Sequence, residues 1–97
     1  MNASQPIIDS LLKIKPVLTN KYFVSSIGLF GSVIRDDYSP STSDVDIIVD
    51  FSKPIGIEFI DLAEYLESVI KIKVDLVSKN GIKARHFKEI ESQIIYV

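Results

Sequence analysis

The stretch "GSVIRDDYSPSTSDVDIIVDF", from Gly31 to Phe51, holds the two features on which the reading of this chain turns. Asp44 and Asp46 stand one residue apart at the entrance of an apolar run, and eleven residues separate Asp44 from the pair Gly31-Ser32. Asp44 to Phe51 reads as a strand. Alternation puts Val45, Ile47, Val49 and Phe51 on one face, and Asp44, Asp46, Ile48 and Asp50 on the other. One face suits a core and the other is acidic. The preceding run, Tyr22 to Phe30 ("YFVSSIGLF"), is rich in aromatic and β-branched residues and reads as an earlier strand that Gly31 breaks. Residues 32–43 read as a short helical turn and a polar loop, with "SPSTS" as loop chemistry.

Working outward, Ile7, Ile8, Leu11, Leu12 and Ile14 recur at near-helical spacing, with Ser4 placed to cap and Pro6 in the first turn. Pro16 is expected to end or kink that helix, leaving its far end near Thr19. Beyond the turn at Pro54 and Gly56, residues Phe59, Leu62, Ala63, Leu66, Val69 and Ile70 follow the i, i+3, i+4, i+7 pattern of an amphipathic helix. Its acids, Glu58, Asp61, Glu64 and Glu67, read as a solvated face. Lys73 to Ser78 ("KVDLVS") is a third short strand with Asp75 inside it. Asn80-Gly81 is a turn, residues 82–92 suit a last helix, and the terminal "IIYV" an edge strand. The order helix, strand, loop, strand, helix, strand, helix, strand predicts an α/β (α+β) fold, a small mixed sheet with helices covering one face.

The bulk properties narrow the function. With 97 residues, one domain spanning 1–97 is expected. There are no cysteines, which removes disulfides, thiolate metal ligands and thiol nucleophiles. A net charge of −2 is not the basic footprint of a nucleic-acid binder. No apolar run reaches the length of a membrane span, and the start "MNASQPIIDS" lacks the pattern of a signal peptide, so a cytoplasmic protein is expected.

Asp44 and Asp46 point the same way from one strand, and Asp75 facing that side would bring three carboxylates together. Anions that close repel one another and stay ionised together beside a cation. Oxygen ligands without His or Cys favour Mg²⁺ or Mn²⁺, and Mg²⁺ typically takes one or two carboxylates and completes its shell with phosphate oxygens and water. Gly31-Ser32 then acquires a purpose: glycine lets the backbone approach an anion, and serine at the start of a helical turn offers N–H groups and a hydroxyl to a phosphate. Each feature alone has a plainer reading. Two acids at a strand entrance can be a solvated edge, Asp75 a surface acid, Gly31-Ser32 a strand-ending turn and Arg35 a surface cation. His86 reads as structural in a surface helix. An EF-hand is excluded, since counting from Asp44 puts Ile48 and Val49 where an oxygen ligand and a glycine are needed.

The combination "GLFGS", then Arg35, then "SDVDIIV", resembles the minimal nucleotidyltransferase (MNT) family of the polymerase-β-type superfamily. Gly31 and Ser32 match its Gly-Ser, Arg35 its loop arginine, and Ser43, Asp44 and Asp46 its Ser-Asp-x-Asp. Asp75 occupies the position of the third carboxylate. Ile34 and Asp36 stand where the family commonly has Ala and Gly. The resemblance implies a nucleotidyltransferase fold, with catalytic and metal-binding roles for Asp44, Asp46 and Asp75. It implies ATP bound by Gly31, Ser32, Arg35 and Ser43, and two Mg²⁺ ions (or Mn²⁺) as cofactor. Short members pair with a HEPN-domain toxin. The implied activity is therefore that of an antitoxin that moves AMP from ATP to a tyrosine hydroxyl of its HEPN partner. Two other readings stay open here: an antitoxin that neutralises by binding alone, and a small-molecule nucleotidyltransferase completed by a separate substrate-binding subunit.

Overall fold

The first helix forms where the apolar spacing predicts it, but it does not stop at Pro16. In the computed structural model, which describes residues 4–35 and 44–97, helix α1 runs Ser4–Tyr22 without a break. The reason lies in which side the proline faces. Ile7, Leu11, Leu18 and Tyr22 form one continuous buried stripe, whereas Pro16 and the residue four before it, Leu12, are exposed. The backbone carbonyl that loses its partner at Pro16 therefore faces water, and the buried Leu18 and Tyr22 hold the second half of the helix in line.

Tyr22 accordingly belongs to α1 and not to the first strand. Phe23 makes the joint, with a left-handed φ of 59°. That conformation is strained for a non-glycine residue, and its surroundings fix it. The Phe23 carbonyl accepts from the Ser52 N–H at 2.8 Å, and the Lys53 ammonium lies 3.7 Å from the Phe23 ring centroid.

Strand β1 (Val24–Phe30) follows, then a 3₁₀ turn (Gly31–Ile34), strand β2 (Val45–Phe51), helix α2 (Glu58–Ile70), strand β3 (Val74–Ser78), helix α3 (Ala84–Ile90) and a two-residue strand β4 (Ile95–Tyr96). The sheet order is β3-β2-β1-β4; β1 runs antiparallel to β2 and β4, and β2 runs parallel to β3 across the α2 crossover. The sheet is thus mixed, as expected.

The core fills the space between α1, α2 and one sheet face. Leu11 and Leu18 of α1, Leu62 and Leu66 of α2, and Leu29, Val45 and Ile47 of the sheet are all fully buried. Burying such a side chain stabilises the fold by roughly 1.5–3 kcal/mol each. Tyr22 and Tyr65 stack at 5.4 Å between ring centroids, joining the two helices. A register shift between Val24 and Ser26 explains how both Val24 and Ile27 reach the core despite their odd spacing, because a bulge inserts one residue and resets the alternation. The β2 alternation holds for Val45, Ile47 and Val49. Ile48, on the acidic face, is also buried, opposite Gly28. There a Cβ on Gly28 would lie 2.6 Å from Ile94 Cγ2, so the C-terminal segment covers that part of the second face. Among the described residues, no helix is long and apolar enough to cross a membrane.

Candidate active site

Parallel pairing of β2 with β3 sets Asp46 directly beside Asp75 in register. Residues paired in this way present their side chains to the same face of the sheet. Two of the three acids are therefore neighbours by construction. On the other flank, the last residue of β1, Phe30, pairs with Asp46, and Gly31 follows with φ +77°. A Cβ at Gly31 would strike the Asp46 carboxylate, whose Cγ would stand 3.1 Å away. Glycine is required there twice over, for its backbone conformation and for the room it gives Asp46. The turn that begins at Gly31 is anchored by Val33, which is fully buried, and is closed by the Arg35 N–H donating to the Ser32 carbonyl at 3.1 Å. Ser32 is half-buried and Arg35 is exposed.

The electrostatics follow from this crowding. Asp46 is pushed up from its ordinary 3.8 to about 6, first by burial, then by the charge of Asp75 and that of Asp44. The Asp46 and Asp75 carboxyls also share a hydrogen bond, while Arg35 acts in the opposite direction and favours the charged form. Asp44 sits exposed at the mouth of β2 and reaches Asp46 through its charge. Asp50, on the same strand face, is spoken for: its Oδ1 accepts the Phe51 N–H at 3.0 Å. Ser43 and Asp36 lie outside the described residues.

The donor set suits a divalent cation. Two adjoining carboxylates, one of them held protonated to an unusually high pH by burial and by its acidic neighbours, form the kind of oxygen-only site that a hard cation relieves of repulsion. Among the described residues no three His, Asp or Glu side chains already form a cage. A pair is nevertheless the number of carboxylates that Mg²⁺ uses when phosphate oxygens and water supply the rest.

A cavity of about 680 Å³ opens beside this pair, lined by Asp46 and Asp75 together with Phe30, Val77, Ile82, Lys83 and His86. Its volume is in the range of small-molecule sites. His86, read from the sequence as structural, lines the same cavity as the two acids. No local motif announces this. The tight turn after β3, where the Gly81 N–H donates to the Ser78 carbonyl at 2.9 Å, brings α3 back toward the site. One correction concerns the acidic side of α2. Glu67 is not merely solvated: its Oε2 accepts the Val74 N–H at 2.8 Å and so ties the end of α2 to the strand that carries Asp75. The Lys71 N–H, in a left-handed cap at φ 64°, closes the same helix on the Glu67 carbonyl at 2.7 Å.

The geometry has close counterparts. The chain is 40% identical over 92 residues to the protein adenylyltransferase MntA of Thermococcus cleftensis, covering 93% of this chain and 92% of that one. It is 42% identical, in an alignment of 99 positions that covers all of both chains, to a Methanocaldococcus jannaschii chain named as a candidate protein adenylyltransferase. Its backbone superposes with a TM-score of 0.67 and 25% identity on a chain from the complex of tri-AMPylated Shewanella oneidensis HEPN toxin with MNT antitoxin, covering 93% of this chain and 70% of that one. A solved chain described as a candidate minimal nucleotidyltransferase matches with a TM-score of 0.78, over 98% of this chain and 95% of that one, at 23% identity, and so shares the fold. The family model for the nucleotidyltransferase domain matches residues 11–97, and the chain belongs to that family of enzymes.

Proposed function

We propose that this chain is a protein adenylyltransferase that acts as an antitoxin, moving AMP from ATP to a tyrosine hydroxyl of a HEPN toxin partner. The observation that carries the proposal is the Asp46–Asp75 pair abutting the Gly31 turn, a joint that tolerates no Cβ at residue 31. The antitoxin role draws support from the relatives named as protein adenylyltransferases and from the likeness to a chain of a HEPN–MNT complex.

In this reading the whole of 1–97 works as one domain. Gly31, Ser32 and Arg35, with Ser43, hold the triphosphate. The turn offers backbone N–H groups and the Ser32 hydroxyl, and Arg35 offers a planar, permanently charged partner. Asp44, Asp46 and Asp75 would hold Mg²⁺, which when bound supplies charge neutralisation on the phosphates. Asp75, at the pocket end of the pair, accepts the proton of the incoming hydroxyl. The remaining contribution of the protein is positioning, which is most of what phosphoryl transfer requires. The chain works in the cytoplasm, where ATP is supplied, and needs no nucleic acid.

Intact-mass spectrometry of the HEPN partner, after incubation with this chain, ATP and Mg²⁺, tests the proposal. The expected result is a gain of AMP masses that an Asp44→Asn control lacks. A stable complex with no mass gain would refute the transfer.

A further inference from the structure

Asp46 has two different flanks. On the β1 side lies the Gly31–Ser32 turn, with Arg35 at its end. The cavity extends from Phe30 at the end of β1 past Asp46 and Asp75 to the β3 side, where Val77 and Ile82 add apolar lining and Lys83 and His86 also line it. Gly31, Ser32 and Arg35 do not line this cavity. Displacement at phosphorus proceeds with the attacking and leaving oxygens roughly in line. A triphosphate whose leaving end rests on the Gly31 turn therefore turns the opposite side of its α-phosphorus toward the cavity. The attacking group has to come from there.

The geometry points to the cavity between β3 and α3 as the acceptor pocket, with Lys83 and His86 as the residues that select the acceptor. This rests on the proposed transferase activity and adds to it the chemistry of the substrate. The apolar lining suits the ring of a hydroxyl-bearing aromatic side chain. Lys83 supplies a cation and His86 a hydrogen-bonding imidazole to the same lining, so both are placed to contact the polypeptide that carries such a side chain. In the step itself the acceptor oxygen bonds to the α-phosphorus as the bond to pyrophosphate breaks. The hydroxyl proton passes to Asp75, and pyrophosphate leaves past the Gly31 turn.

Both residues are exposed, so the Lys83→Ala/His86→Ala double variant is expected to fold. Its transfer kinetics would be measured on the intact partner protein, varying ATP and partner separately. The expected result is a rise of at least tenfold in KM for the partner, with KM for ATP within twofold of wild type and with the slow hydrolysis of ATP by water unchanged. Lys83→Arg with His86 restored is expected to recover most of the partner affinity. A rise in KM for ATP instead would place the nucleotide in the cavity and overturn the assignment, as would no change in either constant. A wild-type chain that transfers nothing to any partner would overturn the transferase reading and the acceptor pocket together, whereas a transferring wild type with an unaffected double variant would overturn the pocket alone.

Discussion

Replacing Asp46 by Asn is expected to abolish transfer and, in the absence of metal, to make the protein more stable. The folded state raises the pKa of this carboxyl from 3.8 to about 6. A raised acid binds its proton more tightly folded than unfolded. Between pH 3.8 and about 6 the folded chain therefore holds a proton that the unfolded chain has lost, and stability falls as pH rises through that window. Above it, Asp46 is ionised in both states and the full penalty remains. Each pKa unit is worth about 1.4 kcal/mol, so the gap sets an upper bound of about 3 kcal/mol. Asp46 is half-buried and solvent screens its neighbours, which reduces the figure to about 1–2 kcal/mol. Asn keeps the volume and donates to the Asp75 carboxylate, removing the repulsion. For a domain of this size the gain amounts to a melting temperature higher by roughly 5–15 °C at pH 7 in EDTA. Calorimetric melts of wild type and Asp46→Asn from pH 3.5 to 7.5 should coincide at the acid end and diverge with a midpoint near pH 5. Added Mg²⁺ should stabilise the wild type and leave the variant nearly unmoved. A variant that melts below wild type at pH 7 without metal would refute the electrostatic reading of this pair.

Gly31→Ala places a methyl group against the Asp46 carboxylate in a left-handed backbone; a loss of about 1–3 kcal/mol in urea titration, together with the loss of most transfer activity, is expected. Asp75→Asn removes the strongest charge acting on Asp46, so the Asp46 carboxyl followed by ¹³C NMR should titrate below about 6, though burial still holds it above 3.8, and transfer should stop. The rate of transfer should fall on the acid side as Asp46 protonates, with a midpoint at or below about pH 6 because bound metal favours the ionised form; a midpoint above 7 would assign that limb to another group. Pro16→Ala should stabilise the chain by about 1–3 kcal/mol in thermal melts, since it restores a helical hydrogen bond on the exposed side of α1 without disturbing the buried stripe.

The parts of this fold that were legible in the sequence are those whose cause is local. The alternation in Val45–Phe51 and the 3.6-residue period from Phe59 to Ile70 place a strand and a helix because side-chain direction repeats with the backbone. Gly31 stands out because it breaks an apolar run and stands beside Ser32, where a glycine lets the backbone approach an anion; its left-handed φ of 77° belongs to the fold. What escaped depends on side and on return. Whether Pro16 breaks a helix turns on whether its orphaned carbonyl faces water, and that is known once Leu18 and Tyr22 are seen to be buried on the opposite side. Tyr22 reads as a strand residue by composition, and only the left-handed joint at Phe23 reveals that the helix continues through it. Glu67 looks like any acid on a polar helix face until the crossover brings Val74 N–H to it. Lys83 and His86 fall in a stretch that reads as an ordinary surface helix, and they come to line the cavity beside Asp46 and Asp75 because β3 ends in a tight turn. Asp44 and Asp46 are thus written one residue apart at the start of one strand, whereas Asp75 joins them through the parallel β2–β3 pairing, and Lys83 and His86 reach the same cavity through the turn that follows. Given the proposed acceptor pocket, the acids are held by β2 and β3, and a change of acceptor would fall first on the turn and helix after β3.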